Sequence, residues 1–170
     1  VSDRNGIRLA IGSGNRAFAA EMQGRLERLF GQAAALRAAR PGTDELKLVN
    51  RVAAVAWQET FGLRDADSVT KRIPDLVFSL PKHLRLAFLR GYLLGDGTVG
   101  LDRVGFSTSS YDLASGLMYL LSSLGTVPTL SEMEPDGVVR EIRGKPCVTR
   151  HRHWNISVCA AEDLRAIEAA

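Results

Sequence analysis

Cysteine is nearly missing from these 170 residues: there are two, Cys147 and Cys159. They lack the paired spacing of a zinc site, and two thiols do not make the staple framework of a small secreted domain. Reduced thiols fit an intracellular, cytoplasmic protein, nucleoid-associated if the source is prokaryotic. No apolar run approaches the roughly 20 residues of a membrane-spanning helix. Within residues 1–30 Arg and Glu interrupt every apolar stretch, which is not the pattern of a secretory leader. Aromatics are only 6%, so the core must be built mainly from aliphatic side chains, and 45% apolar residues supply enough of them. Charge of one sign is not in large excess either. Lys plus Arg number 22 against 19 Asp plus Glu, a net +3 that permits a nucleic-acid partner without demanding one.

What is present first misleads. Residues 95–100 read GDGTVG, which fits G-x-G-x-x-G. That string cradles a pyrophosphate when a strand precedes it and a helix comes after. Here the order is reversed. The long apolar stretch PKHLRLAFLRGYLLGDG before it has helical spacing, and TVGLDRVGFSTSS after it alternates. A nucleotide-binding enzyme is therefore disfavoured, and the Asp between two glycines needs another explanation.

The chain also repeats itself. IRLAIGSGNRAFAAEMQGRLERLFG (7–31) and VGFSTSSYDLASGLMYLLSSLG (104–125) share an alternating run, a small polar turn and an amphipathic helix ending in Gly. Phe18, Ala19, Met22, Leu26 and Leu29 correspond to Leu113, Ala114, Leu117, Leu121 and Leu124 at one constant offset. Gly31 and Gly125 are natural helix ends. ELKLVN (45–50) precedes the helical RVAAVAWQETFG, as HWNISV (153–158) precedes CAAEDLRAIEAA. Each half thus reads strand, helix, strand, strand, helix, with one further helix, ending in GDG, in front of the second. Duplication is the better account of four elements in one order. Between them, Pro74 and Pro81 each suit the start of a helix, a short one and a long one.

In the long helix Ala87, Gly91 and Gly95 recur every four residues and line one narrow face. Two glycines inside a helix cost roughly 1 kcal/mol each relative to alanine, so close approach of another helix is their expected purpose. Leu86, Phe88, Leu89, Leu93 and Leu94 cover most of the rest, so the whole helix is expected to be buried. Asp96 ends it, at the negative end of the helix dipole. A carboxylate there wants a cation. Against a twin helix carrying its own acid, it would make a hard-cation site for magnesium.

FLRGYLLGDG resembles the signature helix of the LAGLIDADG homing endonucleases, and VGFSTSSYDLASGLMYLLSSLG resembles the segment that comes after that helix in the family. KRIPDLVF (71–78) is similar to the K-x-I-P block of the double-motif, intein-associated members. The resemblance spans nearly the whole chain. It implies an α+β fold of two pseudo-twofold-related αββαββα halves, 1–62 and 81–170, with a linker over 63–80 carrying the KRIP block. The signature helices would pack together, and antiparallel sheets would form a saddle over double-stranded DNA. It implies, once the first motif helix is present, a monomeric pseudo-dimer that cleaves DNA with Mg2+ or another divalent cation. By matching positions, Asp96 would bind the metal and Lys71 would stabilise charge at the scissile phosphate. The first signature helix and its acid would lie before Val1, and the 170 residues alone are then expected to be inactive. These residues have no N-terminal Cys or Ser and no terminal His-Asn, so if an intein is the parent its splicing domain is expected outside them.

In strand-like runs the residues opposite the apolar ones mark a solvent face. Those are Arg8 and Ala10, Lys47 and Val49, Arg103, Gly105 and Ser107, and His153, Asn155 and Ser157. The set holds cations and hydrogen-bonding groups but no carboxylate, as a duplex-reading sheet requires. RGKPCVTRHRH (143–153), with Arg150 and Arg152, is a basic run that reads either as a flexible phosphate-contacting hairpin or as a solvated loop. Two other readings on the same fold remain: a DNA-binding module or transcription regulator that does not cleave, and an RNA-splicing maturase.

Overall fold

The computed structural model describes residues 2–3, 5–64, 66–142 and 145–159. The helix expected over CAAEDLRAIEAA lies outside the described residues from Ala160 onward, as do Arg143 and Gly144 of the basic run. The chain forms two compact units with the boundary before Ala66. No described helix is long and apolar enough to cross a membrane.

The first unit contains β1 (Ser2–Asp3), β2 (Gly6–Gly12), α1 (Arg16–Phe30), β3 (Ala35–Arg40), β4 (Thr43–Leu48) and α2 (Arg51–Phe61). Its strands form one antiparallel sheet in the order β1-β2-β4-β3. The second unit contains α3 (Asp75–Ser79), α4 (Lys82–Asp96), β5 (Gly97–Val99), β6 (Val104–Thr108), α5 (Tyr111–Ser123), β7 (Thr129–Met133), β8 (Val139–Ile142), β9 (Lys145–Val148) and β10 (His153–Val158). Its main sheet is antiparallel in the order β5-β6-β10-β7. Element for element this is the order of the first sheet, with β8 and β9 added as a separate hairpin. The fold is α+β and internally duplicated. Each amphipathic helix is preceded by two strands rather than one. β1 and β5 are edge strands of two and three residues, too short to display an alternation.

Alternation does place the inward residues of the longer strands. Ile7, Ile11, Leu46 and Leu48 are buried in one core, and Val104, Phe106, Ile156 and Val158 in the other. α5 adds Leu113, Ala114, Leu117, Leu120 and Leu121 to the second core. Burying a leucine side chain is worth roughly 1.5–3 kcal/mol. That face therefore decides where α5 docks, and its Ser110 cap only sharpens the end. The repeat is imperfect at one position. Leu124 is buried, but its counterpart Leu29 is 68% exposed. α1 instead turns Phe30 toward Trp57, with ring centroids 6.3 Å apart.

Residues 63–80, expected between the halves, contribute Ile73 and Val77 to the second core. Pro74 and Pro81 occupy the N-caps of α3 and α4. α4 itself departs from expectation. It is not buried all round: only Leu89 and Leu93 are, and Leu94 is 56% exposed. Ala87, Gly91 and Gly95 lie on an exposed face. A Cβ at Gly91 or Gly95 would meet nothing within 4 Å. Gly97 is different. There α4 passes into β5 without a loop, and a Cβ would lie 2.6 Å from the Leu93 carbonyl oxygen. Only glycine allows that fold-back.

Candidate functional site

Asp67 begins the site. Its carboxylate accepts from the backbone N–H groups of Val69 and Thr70, both at 2.8 Å, and from the Thr70 hydroxyl at 2.9 Å. The Asp67 N–H donates back to the Thr70 hydroxyl at 3.0 Å. Such reciprocal bonds are the ordinary chemistry of Asp and Thr at turns. The Thr70 and Val69 N–H bonds hold the carboxyl below its usual range of 3.8. This turn delivers Lys71, whose N–H donates to the Asp67 carbonyl at 3.1 Å.

From that position the Lys71 ammonium lies 3.7 Å from the Asp96 carboxylate. This is the cation the acid at the end of α4 was expected to need. Their side chains are 34% and 64% exposed. A pair so accessible to water contributes about 0–1 kcal/mol, so stability alone does not account for it. Both residues line a cavity of about 610 Å³ within the second unit, with Ser68, Ser107, Thr108, Ser109, Arg150, His151 and His153 also on its wall. Lysine, arginine, two imidazoles and several hydroxyls converge there around one carboxylate, a lining suited to a phosphate group.

Behind Asp96, one helical turn earlier, Tyr92 stacks on Phe106 with ring centroids 5.6 Å apart. Burial, and secondarily the Asp96 charge, pushes its phenol up to about 12, so the hydroxyl stays protonated. Among the described residues it has no hydrogen-bond partner, and neither has the buried Nδ1 of His153.

The solvent face of the second sheet extends from this cavity. In register, Asn155 lies between Ser107 on β6 and Ser131 on β7, and Ser157 lies between Gly105 and Thr129. Thr98 on β5 pairs with Gly105. A second concavity of about 330 Å³ covers this face and includes Arg103 at its edge. Apart from Gly105, which has no side chain, every residue in these rows is small and can donate or accept a hydrogen bond; none is a carboxylate. Arg103 contacts Asp102 at 3.3 Å.

The first sheet corrects the expected polarity. β4 begins at Thr43, so Glu45 joins Lys47 on the solvent face, and Glu45 lies 3.9 Å from Arg8. Arg8 and Lys47 face each other across the β2–β4 pair. The basic run is also less free than its composition implies. Arg152 pairs with Glu132 at 2.8 Å and with Glu134. Those glutamates lie on or just after β7, far away in sequence. Ser110 was missed as well. It is fully buried, and its hydroxyl donates to the Lys71 carbonyl. The Asp67–Thr70 turn was readable from DSVT, but nothing in the sequence said what that turn holds.

Among the described residues no three His, Cys, Asp or Glu stand together as a metal cluster. Asp96 offers one hard oxygen donor. That suits a magnesium-type ion, which keeps several waters and takes one or two carboxylates plus substrate phosphates. It does not suit a metal that wants three or four protein ligands.

Residues 83–167 match the model of the LAGLIDADG-like domain. The DNA polymerase of Thermococcus hydrothermalis is 32% identical over 121 residues, covering 71% of this chain and 7% of that protein. The chain thus spans less than a tenth of the length of that relative. Among solved structures, a variant of the homing endonuclease I-DmoI in complex with its target DNA in the presence of Mg superposes with a TM-score of 0.65 at 13% identity. That match covers 97% of this chain and 81% of that one. I-DmoI in complex with DNA and Mn gives 0.61 at 13% identity, covering 96% and 80%. At such identities the structural likeness concerns the fold.

Proposed function

The chain belongs to the LAGLIDADG family, and from that premise we propose that it acts as a homing endonuclease, hydrolysing double-stranded DNA at a specific site with a divalent cation, and that it derives from an intein. The observation that carries the reading is the Lys71–Asp96 pair, 3.7 Å apart on the wall of a polar cavity beside a carboxylate-free sheet face. The small share of a DNA polymerase that the chain matches supports an inserted element, and the cytoplasm is its expected compartment.

Each group then has a task. The hydroxyls and amide of Ser107, Ser131, Asn155 and Ser157 read base edges in a groove, where Asn can bond adenine in two places. Arg103 and Arg150 meet phosphates and set register without reading sequence. Asp96 is the protein ligand for the divalent cation, which when bound lowers the pKa of water and neutralises charge on the leaving oxygen. Lys71 brings a mobile ammonium on a four-carbon stem. It balances Asp96 in the free protein and stabilises the charge that builds on the cleaved phosphate. Tyr92, stacked on Phe106, places an aromatic pair one helical turn before Asp96.

The test is selection from a randomised duplex library with magnesium, using the protein with a first signature helix supplied ahead of Val1, without which these residues are expected to be inactive. Cleavage within one recovered sequence is expected, lost in EDTA and lost with Asp96→Asn. Sequence-specific binding that never yields cut strands, whatever the metal, would replace this reading with the non-cleaving one.

A further inference from the structure

Ser110 has a side chain that is wholly buried yet fully employed. Its Oγ donates to the Lys71 carbonyl at 2.5 Å and accepts from the Leu113 N–H at 3.2 Å. The residue's own N–H donates to the Thr108 hydroxyl at 3.0 Å. One hydroxyl proton goes one way and one lone pair the other, so the two bonds do not compete. The second bond is the usual N-cap of α5. The first has no part in capping. It ties a helix start to a loop that precedes it by 39 positions.

The other side of Lys71 is held too, because its N–H donates to Asp67. Both backbone polar atoms of one residue are therefore fixed, one by its own turn and one by α5. Ile73, two residues on, is buried in the same core and lies against Gly116 of α5. The exposed ammonium is thus carried by a backbone that cannot shift without breaking a part-buried hydrogen bond to a fully buried hydroxyl. Leaving the Lys71 carbonyl without its donor would also cost free energy, to the extent that the part-buried site keeps water out.

We infer that Ser110 is a positioning residue: its buried hydroxyl clamps the Lys71 backbone and so determines where the ammonium stands relative to Asp96. The clamp rests on the nuclease reading of Lys71 only for its catalytic consequence; its structural half does not need it. Small displacements of a reacting group are costly to rate without being costly to binding.

Two variants separate clamp from cap. Ser110→Ala removes both bonds. Ser110→Gly removes the hydroxyl but leaves a residue that caps helices nearly as well as serine, so it remains usable if the alanine variant does not fold. Amide hydrogen exchange is the first readout. In Ser110→Gly, exchange at Val69, Thr70 and Lys71 should rise about tenfold, with the first turn of α5 little changed. Ser110→Thr, which keeps donor and acceptor, should restore protection. Unchanged exchange at 69–71 in a folded Ser110→Gly protein would overturn the proposal. The second readout is single-turnover cleavage at saturating DNA, expected to fall about tenfold with Kd for DNA unchanged, and to recover in Ser110→Thr. If the protein supplied with a first signature helix cuts no DNA, the nuclease reading fails while the exchange data still decide the clamp. If cleavage is intact in a variant whose 69–71 amides are deprotected, the positioning role is refuted and the nuclease reading survives.

Discussion

The Lys71 ammonium and the Asp96 carboxylate, 3.7 Å apart, form an ion pair whose two halves come from a loop and a helix end. Pairs this exposed add little to stability, so replacing Lys71 should separate function from folding. Lys71→Met is expected to change unfolding free energy by less than about 0.5 kcal/mol. It should slow single-turnover DNA cleavage about 10²-fold and leave DNA affinity nearly as it was. Lys71→Arg keeps the charge and should recover part of the rate. Equal losses in rate and affinity would instead make Lys71 an ordinary phosphate contact.

Two glycines, one within α4 and one just past its end, should respond with opposite signs. Gly97→Ala forces a Cβ to within 2.6 Å of the Leu93 carbonyl oxygen and should destabilise the protein by about 1–3 kcal/mol. At Gly91 the added methyl meets open space, and Ala gains helix propensity of about 0.5–1 kcal/mol. Denaturant midpoints for both variants check this directly. A loss at Gly91 would mean that another surface covers that face in solution.

Asp67 gives a dependence on pH. Its carboxyl is held below the usual value of 3.8 by the Thr70 and Val69 amides, so the folded state favours the ionised form. The stabilisation is complete above the unfolded value and is lost as pH falls through the lower folded one. Asp67→Ala should therefore lower Tm at pH 7, and the gap from wild type should close below about pH 3.8. A gap that persists unchanged at pH 2.5 would show that the turn does not depend on the carboxylate charge.

Asn155 lies at the centre of the second sheet's solvent face, flanked in register by Ser107 and Ser131. Asn155→Ala should reduce discrimination at one base pair by about 1–3 kcal/mol without altering the salt dependence of binding, because no phosphate charge is involved. Competition between duplexes that differ at single positions measures it. A uniform loss across all sequences would assign Asn155 to the backbone.

Some of this was legible in the residues and some was not, for reasons particular to each. Two-residue periodicity needs several residues to appear, so β6 and β10 were read with the correct face inward while the short β1 and β5 went unseen. The constant offset between Ala19 and Ala114 anticipated two sheets of identical strand order. The same offset failed at Leu29, where an aromatic contact to another helix intervenes. A strand start misplaced by a few residues hid Glu45 beside Arg8. The glutamates on Arg152 and the Ser110 hydroxyl on Lys71 belong to partners remote along the chain, which no local pattern encodes. The glycine stripe was recognised, but spacing alone could not say that its face lies open.

The direct passage from α4 into β5 at Gly97 leaves no slack between the acid and the sheet. Only Gly97 separates Asp96 from Thr98, so on the proposed nuclease reading the position of the acid is tied to that of the sheet edge. An engineer who redesigns base preference by shifting this edge will also retune the chemistry, and the surer place to change specificity is the far edge at β7, remote from that joint.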